Sequence, residues 1–385
     1  MPFKNYENAP GIFGAKVNSL AAALTVSALC FAGTHAVAMD KRSYVIEWFS
    51  QASHSTDGDC PAGINPPTRQ QYYESFELLG FEPEEVEEQM KKYAQGGMPA
   101  ANAKNILRMR GRIDGEPVNG FVHPWTVADP NLNSVKSDYA LGFNLDGQVS
   151  DASFTEPMTN EKGIDNQLFR AMGCIEQFRG TYDHPPTFWA FIWGSMKETT
   201  PAWLMTVEGK DLGSDGPVTI TFDRALEHIT FGPTGNAVSH ITYRADPDPR
   251  SHHEFAGKIE NNVLSITDPG ELRLLLDTLS FPEFVLFNAH LRMTIEADGS
   301  LKGLIGGYQP LWDYYFGIAQ GGLAYEGMII NDAPGIYHSL KRHADGNPDP
   351  ETGEFTSISA AYRIDAVPAF VVPAEAAAYQ NISSR

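Results

Sequence analysis

Cysteine and basic residues are scarce in this sequence, and both shortages restrict what the protein can be. Only three cysteines occur in 385 residues, so the chain can form at most one intramolecular disulfide bond. Lysine and arginine total 28 against 48 aspartate and glutamate residues, which gives a formal net charge of -20. Because such a surface repels phosphate groups and anionic lipid headgroups, we expect no nucleic-acid partner and no attachment to an anionic membrane surface.

Several short motifs that would indicate a reaction are also missing. The sequence contains no Gly-x-Ser-x-Gly nucleophile elbow and no glycine-rich phosphate loop that follows a strand. It has no histidine pair with the spacing of a zinc protease and no Cys-x-x-Cys-His haem attachment site. We also find no internal repeat. The sequence therefore names no reaction, and whether the protein is an enzyme stays undecided at this point.

The N-terminus has the pattern of an export signal over residues 1–38. Lys4 and Lys16 precede an apolar run, "LAAALTVSALCFAG", and small residues at Ala36 and Ala38 offer a cleavage site before Met39. A membrane anchor is the alternative, but a spanning helix needs about 20 apolar residues and this run is shorter and interrupted. We therefore expect cleavage, a periplasmic or secreted mature protein, and no membrane span once the signal is removed.

The remaining cysteines predict one crosslink. Cys30 leaves with the leader, and Cys60 and Cys174 remain as an even pair in an oxidising compartment. We predict a disulfide between them; the alternative is a pair of unrelated buried thiols. Such a bond would bring the chain around residue 60 close to the chain before residue 174.

The hydrophobic pattern predicts a β-rich (α+β) protein. Residues 39–104 are expected to form a helical N-terminal segment packed on the body. Two stretches in it, around 65–80 and 82–97, have helix start and stop signals. Residues 42–52 fit a strand as well as a helix. Residues 105–370 are mostly short apolar runs joined by turns such as "ADGS", which predicts an antiparallel β-sandwich or a barrel-like body. Residues 371–385 are expected to be a loose tail. We predict inserted helices at "IDNQLFRAMG", "PGELRLLLDTLS" and "PGIYHSLKRHAD".

The predicted disulfide would gather oxygen ligands from two acid-rich stretches into one site. Calcium is the ion that this chemistry favours, because it takes six to eight oxygens in irregular geometry. Asp and Gly in these stretches are equally typical of turns, and Asp165 could simply cap a helix. The predicted ligands are His54, Asp57, Asp59, Asn144, Asp146, Asp165 and Asn166.

A third acidic loop places acidic or amide residues at every second position from Asp345 to Glu351. It resembles an EF-hand loop over its first ligands only, because Pro350 stands where that motif requires glycine and Thr356 replaces the bidentate glutamate. We interpret this loop as a hairpin turn. The histidines form no recognisable motif, although His54, His123 and His184 could meet in the fold.

Aromatic residues are concentrated in "FWAFIWGSM" and "YQPLWDYYFGIA". Such clusters usually form a packing seam, and when exposed they offer a platform for sugar rings or another flat ligand. The residues predicted to bind a ligand in this way are Trp189, Trp193, Trp312 and Tyr315.

Three functional hypotheses follow. The first is an exported, disulfide-stabilised protein, with calcium as its predicted ion, that binds a small molecule, a glycan or a protein. The second is a secreted hydrolase of polysaccharide or lipid that uses acidic residues of the same cluster. The third is a periplasmic metal or redox accessory protein that uses the histidines.

Overall fold

The computed structural model describes residues 39–65, 73, 76, 80–94, 109–276, 283–320 and 333–374. The predicted export signal, the end of the predicted tail and most of the predicted helix at 65–80 lie outside these residues. Within the described residues, no helix is both long and apolar enough to span a membrane.

The body is a closed barrel of eight antiparallel strands, as the sequence pattern indicated. The order around the barrel is β1, β6, β7, β9, β10, β12, β13 and β15, and β15 pairs with β1 to close it. The strands are β1 (Asp40–Gln51), β6 (Pro201–Gly209), β7 (Gly216–His228), β9 (His253–Glu260), β10 (Val263–Ile266), β12 (Glu283–Ile295), β13 (Leu301–Pro310) and β15 (Phe355–Pro373).

Shorter strands extend the barrel or form separate ribbons. β8 pairs in parallel with the end of β15, β11 pairs with β12, and β14 pairs with the start of β15. Two small hairpins, β2 with β3 and β4 with β5, lie outside the barrel sheet. These strands are β2 (Gly111–Ile113), β3 (Glu116–Val118), β4 (Phe154–Thr155), β5 (Lys162–Ile164), β8 (Thr242–Ala245), β11 (Gly270–Leu275) and β14 (Gly346–Pro348).

The helices of the described residues agree in part with the sequence pattern. The predicted helices at Pro83, Gln167 and Ala333 are present: proline starts the first, Asn166 caps the second, and Pro334 lies in the first turn of the third. The helices are α1 (Pro83–Ala94), α2 (Gln167–Met172), α3 (Thr187–Thr199), α4 (Leu311–Gln320) and α5 (Ala333–His343).

Two predicted elements differ in the structure. The segment "GELRLL", predicted to be helical, is β11, because Leu272 and Leu274 alternate with polar residues and pair across to β12. Tertiary pairing here outweighs the helix preference of leucine. Residues 40–51, placed in the helical N-terminal segment, form β1, one of the longest-paired strands of the barrel.

The barrel interior is filled by aromatic rings. Phe49 on β1 stacks on Tyr362 of β15 with ring centroids 4.9 Å apart, and it meets Phe284 of β12 edge-on at 4.9 Å. Trp203 of β6 adds a further edge-on contact to Phe49 at 5.2 Å. These rings come from strands that are far apart in the chain, so the packed interior holds the barrel closed and supports the loops that carry polar side chains.

Candidate functional site

The predicted crosslink between Cys60 and Cys174 is present. The two sulfur atoms are bonded and the α-carbons lie 5.8 Å apart. The bond joins the loop after β1 to the turn after α2, which are 114 residues apart in sequence. It therefore ties these two segments together outside the barrel sheet, next to a small apolar cluster that contains Cys174.

Asp59, one of the predicted calcium ligands at this crosslink, is paired with an arginine. Its Oδ1 lies 2.9 Å from Nη2 of Arg179, and its Oδ2 accepts the Thr56 amide hydrogen at 3.0 Å. Arg179 also donates to the carbonyl of Gly173 at 2.9 Å. The negative charge of this buried aspartate is therefore neutralised by the protein itself.

The amide residues of the predicted metal site have structural roles. Asn166 caps α2 by accepting from the Phe169 amide at 3.1 Å, and its own amide donates to the carbonyl of Leu141 at 2.8 Å. Asn144 packs against Gly163, where a β-carbon would lie 2.5 Å from Nδ2 of Asn144. The Asn166 amide is thus used by the fold, whereas the buried Oδ1 of Asn144 has no hydrogen-bond partner among the described residues.

The structure therefore divides the predicted calcium ligands among several places. His54 is half-buried and Asp57 is exposed on the loop that carries Asp59. Asp146 and Asp165 lie in a separate cleft. Within the described residues, no group of three or more His, Cys, Asp or Glu side chains is arranged to hold a metal ion. Calcium binding by these seven residues stays a prediction from the sequence.

The cleft that contains Asp146 and Asp165 is the strongest candidate site, and we call it the acidic cleft. Its volume is about 390 Å³. The sequence pattern indicated Asp146 and Asp165 but not most of the other lining residues, and it indicated only a hairpin turn at Asp345. The lining residues are Asp146, Ser150, Asp151, Ala152, Asp165, Gln167, Arg170, Tyr308, Arg342, His343, Ala344 and Asp345.

Four aspartates from three separate segments line the acidic cleft: Asp146 and Asp151 from one loop, Asp165 and Asp345. Asp165 precedes α2, and its Oδ2 accepts the amide hydrogen of Leu145 at 2.8 Å. Asp345 follows α5 and is held by the backbone amide and the hydroxyl group of Ser359, each at 2.6 Å. Asp146 lies on the loop after Leu145. Its Oδ1 accepts the Gln148 amide hydrogen at 2.7 Å, so backbone and hydroxyl donors hold three of the four carboxyl groups in place.

Burial and mutual repulsion raise the pKa values of the fixed carboxyl groups. Loss of hydration raises the pKa of Asp165 from 3.8 to about 6, and the nearby carboxylates of Asp146 and Asp345 add to this increase. The pKa of Asp345 is also raised, mainly by burial and further by Asp146. Ionisation of these carboxyl groups in the folded protein therefore costs electrostatic free energy.

The basic side chains that line the cleft have partners other than these carboxylates. The Arg170 side chain donates to the carbonyl of Ala152 at 3.0 Å, and its guanidinium carbon lies 4.0 Å from the centroid of the Phe154 ring. Arg342 is paired with Asp129. Burial lowers the pKa of His343 to about 4, so its ring is neutral at pH 7. Across the described ranges, no cation forms an ion pair with Asp146, Asp165 or Asp345.

Comparison of the chain with protein families, with curated proteins and with solved structures finds no match. The acidic cleft and the surfaces of the barrel must therefore be interpreted from their own chemistry.

Three of the four aromatic residues predicted to bind a ligand are buried. Trp189 and Trp193 of α3 pack into the barrel core, where their indole nitrogens donate to the side chain of Gln51 and to the carbonyl of Glu47. Tyr315 of α4 is buried and donates to the carbonyl of Phe121 at 2.8 Å. A ligand cannot reach these rings because strands and helices cover them. Trp312 alone among the four is exposed, to 41%.

Replacing Asp165 with asparagine is expected to stabilise the protein above pH 6, by as much as about 3 kcal/mol. The pKa of Asp165 is higher in the folded chain, about 6, than its ordinary value of 3.8. The contribution of Asp165 to the free energy of unfolding is fully present below about pH 4, where the carboxyl group is protonated in both states. It is lost as the pH rises through 6 and the folded protein must ionise this group. Asparagine removes this loss because it is neutral, and its side-chain oxygen can still accept the Leu145 amide hydrogen.

The measurement is denaturant unfolding of the wild type and of Asp165→Asn at pH 4 and at pH 8. His343 acts in the opposite direction over the same range, since its lowered pKa makes stability rise with pH. Both proteins contain His343, so the difference between them isolates Asp165. A stability difference that is the same at both pH values would contradict the prediction.

Proposed function

We propose that this chain is an exported protein that binds a small organic cation in the acidic cleft. The observation that carries the proposal is the convergence of Asp146, Asp165 and Asp345 without a paired cation among the described residues. A bound ammonium or guanidinium group would supply the missing positive charge and would relieve the repulsion between the carboxylates. The volume of about 390 Å³ suits a small molecule.

The spread of the carboxyl groups favours an organic cation over a bare metal ion. A calcium ion needs several oxygens within about 2.6 Å of one point. The described part of the chain contains no group of acidic or histidine side chains with that arrangement. An organic cation has a body that can span the cleft, with Gln167 and Tyr308 as further hydrogen-bonding partners. Calcium binding stays a prediction from the sequence.

Export is the second part of the proposal. It is supported by the leader pattern of residues 1–38 and, weakly, by the disulfide, because disulfides persist in oxidising compartments. The periplasm or the extracellular space would expose the cleft to solutes taken from the environment. Fractionation of expressing cells, with mass determination of the mature N-terminus, tests this part separately.

Calorimetric titration with small amines tests the binding proposal. The probes are diamines, amino sugars and quaternary ammonium compounds, each compared with a neutral alcohol of similar size and with calcium chloride. We expect binding of the ammonium compounds only, and an increase in Kd of about tenfold in Asp146→Asn, because one attractive charge is removed. Asp57→Asn is the matched control, since it removes an exposed carboxylate outside the cleft and should leave Kd unchanged.

The pH dependence of the same titration provides a further check. A cation binds the ionised form of Asp165 better, so its affinity should fall as the pH drops through 6, where the pKa of Asp165 lies. Asp165→Asn should bind more weakly at pH 8 and lose most of this pH dependence. Binding of calcium alone, or equal loss of affinity in Asp57→Asn, would overturn the proposal.

A hydrolase that uses the acidic cleft is the second candidate function. The observation that favours it is the pKa of Asp165, about 6, which suits a general acid next to further carboxyl groups. Turnover of chromogenic glycosides or esters, lost in Asp165→Asn and retained in Asp57→Asn, would support it. Absence of turnover together with amine binding would favour the binding function.

A further inference from the structure

A second surface outside the acidic cleft carries exposed aromatic rings. Trp125 is 54% exposed and Trp312 is 41% exposed, and their ring centroids lie 6.0 Å apart. Tyr337 lies beside both rings, at 6.4 Å from Trp125 and 6.3 Å from Trp312. We call these three side chains the aromatic ledge. Exposed aromatic surface that is gathered in one place, as it is here, is typical of a binding surface.

The aromatic ledge is held in a fixed arrangement. Trp125 lies in the short 3₁₀ turn Pro124–Thr126, in which the Thr126 hydroxyl group donates to the carbonyl of His123 at 2.6 Å. Trp312 and Tyr337 lie on α4 and α5, and the buried ring of Tyr315 is 5.5 Å from each of them. Because the 3₁₀ turn and the two helices already hold the three rings in place, these side chains lose little conformational entropy when a ligand binds.

A cleft of about 230 Å³ adjoins the ledge at Trp312 and Tyr337. Its lining also includes the exposed side chain of Phe355 at the start of β15. Polar side chains form its rim: Lys341 of α5 lies 2.9 Å from Glu354, and Asp349 and Thr352 belong to the hairpin between β14 and β15. The cleft therefore combines flat apolar walls with hydrogen-bond donors and acceptors at its edge.

This combination matches the chemistry of a sugar ring. A pyranose presents a face of C–H bonds, which packs on an aromatic ring, and a rim of hydroxyl groups, which need both donors and acceptors. Lys341 has N–H donors beyond its pair with Glu354, and Asp349 has a second oxygen beyond the one that accepts from Thr352, so the rim offers donors and acceptors to a neutral sugar. A proline-rich peptide also packs on aromatic rings, but it has few hydrogen-bond donors and acceptors to offer the polar rim.

The geometry points to a carbohydrate-binding site in which the aromatic ledge stacks on the sugars of a neutral glycan and the adjoining cleft takes one ring. This site shares no lining residue with the acidic cleft. The inference therefore stands apart from the proposed function, and each can fail without the other.

Titration of the full chain with neutral oligosaccharides tests the inference. The probes are tetrasaccharides of glucose and of N-acetylglucosamine in different linkages, followed by calorimetry and by tryptophan fluorescence. We expect at least one probe to bind and to change the fluorescence, and we expect Kd to rise about tenfold in Trp312→Ala and in Trp125→Ala. Phe191→Ala is the matched control, because Phe191 is an exposed aromatic residue on α3, outside the ledge.

Two further variants separate a loss of glycan binding from a loss of stability. Glu354→Ala changes only an exposed rim residue, so it should weaken binding about threefold or more and leave the unfolding midpoint unchanged, even where Trp312→Ala reduces stability. Asp146→Asn, in the acidic cleft, should leave glycan binding unchanged. The inference is overturned if no oligosaccharide binds, if Phe191→Ala weakens binding as much as Trp312→Ala, or if only a proline-rich peptide binds.

Discussion

Removal of the Cys60–Cys174 disulfide is expected to lower the free energy of unfolding by about 4 to 5 kcal/mol. The two cysteines are 114 residues apart, so the bond closes a long loop and removes much of the conformational freedom of the unfolded chain. The folded chain keeps the surrounding contacts, including the hydrogen bond from Asn65 to the carbonyl of Cys174 at 3.1 Å. The loss should therefore arise mainly in the unfolded state.

Denaturant unfolding of the double variant Cys60→Ala/Cys174→Ala measures this effect. Dithiothreitol should lower the unfolding midpoint of the wild type towards that of the double variant, and it should leave the variant unchanged. Alanine is used in place of serine because Cys174 is fully buried in an apolar cluster. A change below about 1 kcal/mol would show that the unfolded chain gains little freedom when this loop is opened.

Replacing Arg179 with methionine is expected to lower the free energy of unfolding by about 3 to 5 kcal/mol. The Asp59 carboxylate is almost fully buried, and Arg179 is its only ion-pair partner among the described residues, with atoms 2.9 Å apart. Methionine preserves most of the side-chain volume and removes the charge. The Asp59 carboxylate would then remain buried without a positively charged partner. This lowers the free energy of unfolding more than removal of both charges does.

A double-mutant cycle checks that interpretation. Asp59→Asn/Arg179→Met removes both charges and should lose less stability than Arg179→Met alone. Arg244→Met is the matched control, because Arg244 forms a largely exposed ion pair with Glu227 and its loss should cost less than about 1 kcal/mol. Equal losses in the single and double variants would contradict the role assigned to Asp59.

The two predictions also bear on calcium. Asp59 and Arg179 neutralise each other beside the disulfide, so this predicted calcium ligand already has a positively charged partner within the protein. From the sequence, Asp59 and Asp165 look alike, since each lies in a turn-prone acidic stretch near a cysteine. The structure separates them: one has an arginine partner and the other faces two more carboxyl groups.

Features that depend on neighbours within a few residues were predictable. Helices α1, α2 and α5 were identified from caps, prolines and apolar spacing. The turn between β12 and β13 also follows the pattern, since Asp298 accepts from the Ser300 amide at 2.9 Å and Gly299 has a φ of +82°. The alternation of apolar residues correctly indicated an antiparallel body, and the cysteine count correctly indicated one crosslink.

Features that depend on distant pairing were not predictable in the same way. Periodicity allowed a sandwich or a barrel, and only the pairing of β15 with β1 decides for the barrel. The segment of β11 fits a helix by composition and is a strand because β12 lies beside it. The sequence pattern also does not predict which aromatic residues are buried. It does not show that α3 packs into the core or that Trp125 and Trp312 remain exposed.

The sequence by itself determined the acidic balance, the leader pattern, the antiparallel strands with their turns, and the pair of cysteines available for a crosslink. Tertiary structure alone decided that Asp345 joins Asp146 and Asp165, since these residues lie up to about 200 positions apart in the chain. The physical reason is the sequence separation of the residues in contact. Caps, turns and strand alternation depend on residues that are close in the sequence, whereas the cleft forms where the closed barrel brings distant loops together.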